Sequence, residues 1–183
     1  MIRPQIKKKL IQLKTEEEII NKVSSSGLIT IDLEEFYPKE HVVEIDIKDF
    51  LYKGIILKEK DFRKSLDELD WSEYTGKIIA VFCSEDAIIP KWAYMLVAMH
   101  ADQFTENVFY GTREKAIEET ILAAVEHKII AEDYRDKRVV IKGCSDRDIS
   151  ERIYVVITNK LVPVVKSLMY GEPCSTVPIF KRK

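Results

Sequence analysis

The chain reads as an α/β protein, and three observations predict this. Residues 78–82, Ile-Ile-Ala-Val-Phe, are continuously apolar, as strands buried on both faces of a parallel sheet are. Two further apolar runs, 108–110 and 139–141, repeat the signal at intervals filled by helical periodicity. The order is therefore β-α-β-α-β-α. Right-handed crossovers turn that order into a three-layer-like parallel sheet over the C-terminal two thirds. A smaller antiparallel part is expected before it.

The elements follow in order. Ile6, Leu10, Leu13, Ile20 and Val23 share a loose helical face, which predicts an N-terminal helical arm over 1–25. Ser24-Ser25-Ser26-Gly27 breaks it, and 26–183 is expected to form a single α/β domain. Ile29, Ile31 and Leu33 alternate with polar residues, as do Val43, Ile45 and Ile47; with the turn at 37–40 between them, they read as an antiparallel pair. Residues 54–57 suggest a short extra strand. Phe62, Leu66 and Leu69 mark one face of a helix.

In the second part, 90–99 is apolar nearly all round, hence a buried helix. Thr112 caps a helix to about His127, with Ala116, Ile117, Ile121 and Val125 inward. Ser150 caps a last helix carrying Ile153, Ile157, Leu161, Val164 and Leu168, kinked at Pro163 and stopped by Gly171. Residues 171–178 read as a loop. Cys83-Ser84-Glu85-Asp86 and Cys144-Ser145-Asp146 each follow a strand and precede a helix bearing a tyrosine, Tyr94 or Tyr154. This echo reads as two solutions to one strand-to-helix geometry rather than as a duplication, because repeat arrays need more copies.

Composition excludes several classes. The net charge of -2 supplies no field for nucleic acid or an anionic membrane. No apolar run approaches the ~20 residues of a membrane span. The first residues lack the pattern of a secretory signal, so a cytoplasmic location is expected. The odd number of cysteines, three, argues against a disulfide framework. No GxGxxG, Walker A loop or GxSxG elbow is present.

Each cysteine is followed by serine: Cys83-Ser84, Cys144-Ser145, Cys174-Ser175. The first two lie where strands run into helices, the functional edge of a parallel sheet. Helix N-termini lower thiol pKa values, and thiolates favour zinc or iron, including iron–sulfur clusters. The expectation is a metal site held by Cys83, Cys144 and Cys174, with an open fourth position. Ser84, Ser145 and Ser175 are candidates to orient the sulfurs, and Asp146 and Glu172 are candidates for a further ligand. His100 lies at the far end of its helix, and His41 and His127 suit solvated positions. Two alternatives stand beside the metal site. One is a metal-free thiol enzyme or sulfur carrier; the other is a non-enzymatic protein that binds an anionic small molecule through helix N-terminal amides. Oligomeric state is not readable.

Several strings carry a resemblance: Gly27-Leu28-Ile29-Thr30-Ile31-Asp32-Leu33, Gly54-Ile55-Ile56-Leu57-Lys58-Glu59-Lys60-Asp61-Phe62, Pro90-Lys91-Trp92-Ala93-Tyr94-Met95, Lys142-Gly143-Cys144-Ser145-Asp146 and Met169-Tyr170-Gly171-Glu172-Pro173-Cys174-Ser175-Thr176-Val177-Pro178. From about Ile19 onward the chain resembles a family of small uncharacterised bacterial proteins, a domain of unknown function common in bacteroidetes. The resemblance implies a bacterial cytosolic protein and implies no activity.

Overall fold

The computed structural model describes residues 27–142, 146–172 and 174–183. The expected arm over 1–25 lies outside the described residues. The α/β class and the parallel pairing are as expected, but the strands divide into two sheets rather than one.

One sheet, here sheet B, contains β2 (Val42–Asp46), β3 (Ile78–Phe82) and β4 (Val108–Tyr110), in that order and all parallel. The other, sheet A, contains β1 (Leu28–Ile31), β5 (Arg138–Ile141), β6 (Ser167–Glu172) and β7 (Ser175–Lys181); the first three are parallel and β7 is antiparallel to β6. The helices are α1 (Glu59–Glu68), α2 (Lys91–Ala101), α3 (Arg113–Lys128) and α4 (Glu151–Leu161).

The N-terminal strands thus do not pair with each other. β1 joins β5 and β2 joins β3, both parallel. Alternation reports that one face of a strand is buried; it says nothing of the partner's direction. The last helix also ends earlier than its apolar spacing suggests, at Leu161. Pro163 has no N–H to give and its ring crowds the carbonyl four residues back, so the chain turns there. Leu168 then enters β6, buried against the sheet A core rather than on a helix face. Residues 171–178, read as a loop, form most of the β6–β7 hairpin. The suggested strand at 54–57 reduces to one bridge between Tyr52 and Ile56.

Beneath the two sheets lies one repeated unit. In sheet B, β2 leads to a 3-10 turn at Ile47–Phe50, α1, a second 3-10 turn at Trp71–Tyr74, β3, α2 and β4. In sheet A, β1 leads to a turn at Leu33–Phe36, and α3, a turn at Ala131–Tyr134, β5, α4 and β6 follow the same order. The register agrees: Ile79 pairs with Val108, and sixty positions on, Val139 pairs with Leu168. The whole sheet B unit is inserted between β1 and α3 of the sheet A unit.

Packing follows from this nesting. Ile79 and Val81 of β3 face a core with Phe62 and Leu66 of α1 and Ala93 and Val97 of α2. Ile78 and Ala80, on the opposite face, meet Ala116 of α3. Both faces of β3 are covered, which is why its sequence does not alternate. Further along α3, Ile121, Leu122 and Val125 join Ile153, Ile157 and Leu161 of α4 over Val139, Ile141 and Leu168 of sheet A. α3 is therefore the layer between the two sheets, and Ile117 touches both cores. A Glu118 carboxylate fixes α3 to α4: it accepts from the Ser150 hydroxyl at 2.5 Å and pairs with Lys115 and Arg152. Hydrogen bonds from Lys115 and Ser150 hold its pKa below the ordinary glutamate range.

Candidate functional site

Each unit opens a cleft at the carboxyl ends of its strands, where open α/β sheets bind ligands. The sheet B cleft, about 600 Å³, is lined by Phe82, Cys83, Ile89, Lys91, Tyr94 and Tyr110. The sheet A cleft, about 550 Å³, is lined by Arg147, Ile149, Glu151, Tyr154 and Tyr170 among others. Five positions recur sixty residues apart: Ala87 and Arg147, Ile89 and Ile149, Lys91 and Glu151, Tyr94 and Tyr154, Tyr110 and Tyr170. The clefts share one aromatic device: Tyr94 and Tyr110 meet edge to face at 5.3 Å, and Tyr154 and Tyr170 do so at 5.7 Å.

A second shared device comes from the first strand of each unit. Asp32 follows β1 and Asp46 ends β2; each caps the next turn, accepting from Glu34 N–H and Lys48 N–H at 3.0 Å. A short polar side chain that bonds its own backbone two residues on starts such turns. The signal is legible as Asp-Leu-Glu-Glu-Phe (32–36) against Asp-Ile-Lys-Asp-Phe (46–50), a repeat the sequence reading missed.

The chemistry of the two units also diverges beside these aspartates. The residue beside Asp46 in the sheet is Phe82; its counterpart beside Asp32 is Lys142. In sheet B, Asp46 turns to the Ser84 N–H at 3.0 Å. Burial works against the Asp46 charge, but bonds from Ser84 and Lys48 hold its pKa low. In sheet A, Lys142 Nζ donates to Asp32 Oδ2 at 2.7 Å, and that bond raises the lysine pKa, helped by the charges of Asp32, Glu172 and Glu34. Burial raises the Tyr154 phenol, and Tyr170, Asp32 and Glu34 push it further. So Asp32, Glu34 and Glu172 act on one ammonium, and the first two also on one phenol. Among the described residues, Glu172 Oε1 is a buried side-chain oxygen with no hydrogen-bond partner.

The expected site residues fall as follows. Cys83 is half-buried in the sheet B cleft, its thiol donating to the Glu85 carbonyl at 3.6 Å. Cys174 is exposed at the β6–β7 turn, between Glu172 and Ser175, which face each other across the hairpin. These two thiols belong to different sheets. Cys144 and Ser145 lie outside the described residues. The Asp146 N–H donates to Glu34 Oε1 at 2.7 Å, tying the loop after β5 to the turn after β1. Among the described residues, no group of three or more His, Cys, Asp or Glu side chains is arranged to hold a metal ion. Cys83 is not the counterpart of Cys144: the sixty-residue spacing matches it to Gly143. The serine-following pattern therefore cuts across the repeat. No helix among the described residues is long and apolar enough to cross a membrane.

Comparison with known proteins gives one match. The family model described as "Protein of unknown function (DUF2480)" covers residues 17–182. No curated protein matches the chain, and no solved structure does.

Proposed function

We propose, for a chain that belongs to this family of proteins of unknown function, that it binds a small cationic molecule at the end of β6, beside the sheet A cleft. The observation that carries this reading is Glu172 Oε1 at the end of β6, buried and without a hydrogen-bond partner among the described residues. Such an atom costs about 1–3 kcal/mol when left unmatched, so a donor on a ligand recovers that energy. The acidic surroundings support a cation, since Asp32, Glu34 and Glu172 all act on Lys142. The cleft wall of Ile149, Tyr154, Val155 and Tyr170 suits an apolar or aromatic body. In this reading Asp32 and Lys142 hold each other in place, Glu172 takes the ligand's amine or hydroxyl donor, and the tyrosine pair packs on its body.

The test is an NMR titration with tyramine, an amine on an aromatic body, and 4-hydroxyphenylacetate, its acidic counterpart. Tyramine should shift the resonances of Ile149, Tyr154 and Tyr170 and leave Tyr94 and Tyr110 in place. Equal or stronger binding of the acid, or shifts confined to the sheet B cleft, would contradict the proposal.

A second reading has one observation in its favour. The unpartnered Glu172 oxygen lies two residues before Cys174, and Cys144 follows the neighbouring strand β5. In that reading the cation is zinc or iron, held by thiolates with Glu172 as an oxygen ligand. Elemental analysis of protein purified without chelators separates the two. About one equivalent of metal, lost in both Cys144→Ser and Cys174→Ser, supports this second reading and displaces the first.

A further inference from the structure

We propose that β4 is a dimerisation edge. Two copies pair their β4 strands antiparallel about a two-fold axis normal to the sheet, joining two three-stranded sheets into one of six.

The nested repeat supplies the argument. In sheet A the strand equivalent to β4 is β6, and its outer edge is covered by antiparallel β7, with Leu168 opposite Phe180 and Tyr170 opposite Val177. In sheet B no described residue occupies that place: β4 pairs only with β3. Asn107 C=O accepts from Ile79 N–H at 2.8 Å and Gly111 N–H donates to Val81 C=O at 2.9 Å, so the odd-numbered residues face β3. The N–H and C=O groups of Val108 and Tyr110 therefore point outward. They correspond to Leu168 and Tyr170, which pair with β7.

Two of the other three edges are guarded. β7, the outer strand of sheet A, carries Pro178, ends in Lys181, and pairs with β6 through a register shift. These features discourage further pairing. The far edge of sheet B is partly satisfied, since Val42 C=O accepts from the Arg113 guanidinium at 2.7 Å. β4 has neither proline nor lysine. Its surroundings are apolar and open: Tyr110 is 73% exposed, Met95 70% and Met99 55%. Between α2 and β4 runs a groove of about 260 Å³ lined by Tyr94, Met95, Ala98, Val108 and Tyr110.

The occupant is a second copy because the exposed stripe of α2 complements itself. It reads Lys91, Met95, Ala98, Met99, Asp102, basic at the start, apolar in the middle and acidic at the end. A two-fold axis normal to the sheet keeps α2 of both copies on one face and sets them antiparallel. Lys91 then faces Asp102 of the other copy, and the methionines meet between them. Methionine suits such a surface because its flexible thioether fills irregular gaps.

The test is sedimentation of the full chain at about 1–100 μM, with variants. Wild type should form a dimer in this range. Met95→Lys, at an exposed position, should weaken it at least about tenfold. Lys91→Asp alone should weaken it similarly, and the double variant Lys91→Asp, Asp102→Lys should restore it. Both charge changes favour the α2 macrodipole, so a folding defect is not the expected cause of a loss. Circular dichroism checks that each variant is folded. A wild-type monomer at 100 μM would overturn the proposal, whether the edge is covered by residues 1–26 or kept for another protein's strand. So would a dimer indifferent to Met95→Lys, or one the double charge exchange fails to rescue.

Discussion

Gly111 and Gly171 hold the same left-handed backbone, φ +120° and +122°, each just after the edge-to-face tyrosine of its cleft. They are the same position of the repeat, sixty residues apart. A side chain there is strained whatever the space around it. The space differs, however. A Cβ at Gly111 meets the Lys115 side chain at 2.9 Å, whereas one at Gly171 meets the Ser175 carbonyl oxygen at 2.5 Å. Backbone of a paired hairpin cannot step aside as a side chain can. Both alanine variants should lose stability, by about 1–3 kcal/mol, with Gly171→Ala the more costly. Urea denaturation measures the order; equal losses would mean that the strain at φ decides alone.

Acid should loosen the joint between α3 and α4. Glu118 has a depressed pKa because Lys115 and Ser150 donate to its carboxylate, with Arg152 adding charge. A carboxyl depressed in the folded state adds stability above its unfolded value and loses it as pH falls through the folded one. The loss therefore lies below the ordinary value near 4.5. Glu118→Gln should cost about 1–2 kcal/mol at neutral pH and flatten the decline between pH 5 and 3. A variant with the wild-type acid slope would place the acid sensitivity elsewhere, at carboxylates such as Asp46 and Glu119 whose pKa values are also depressed.

The C-terminal strand is a structural member. Ending the chain at Tyr170 removes β7, strips Phe180 from the sheet A core and bares the edge of β6. That should abolish cooperative unfolding or lower stability by several kcal/mol, since a half-buried aromatic and a whole strand pairing are lost together. Ending it at Phe180 has a smaller but real effect. Arg182 reaches Asp136 at 2.9 Å and the Pro163 carbonyl at 2.8 Å, and its N–H bonds Lys166 C=O. A cost of about 1 kcal/mol is expected from these exposed contacts. Thermal melts of both truncations check the order.

How much of this was legible can be argued from particular residues. The continuous apolar run of β3 and the face of α3 announced a parallel α/β layer because burial on both sides leaves no polar alternation. The division into two sheets was hidden by the nesting: β1 is separated from its partner β5 by the whole sheet B unit, and nothing local in Leu28–Ile31 names a partner 110 residues away. Leu168 continued a helical spacing by coincidence, and only Pro163 argued against it. At the site, the cysteines drew attention through a repeated dipeptide that the fold distributes over two sheets. Asp32 and Lys142 left no such mark. Their significance comes from the contrast with Asp46 and Phe82, which becomes visible once the units are superposed in register.

The central claim is that the divergent, polar end of sheet A is the binding site and that Glu172 is its recognition group. Calorimetric titration of tyramine into the wild-type chain, Glu172→Gln and Cys83→Ser tests it most directly. Glu172→Gln keeps the shape and removes the charge, so affinity should fall about tenfold or more while the melting temperature holds or rises. Cys83→Ser, in the other cleft, should bind as the wild type does. Equal tyramine affinity in wild type and Glu172→Gln, or a loss confined to Cys83→Ser, would contradict the account.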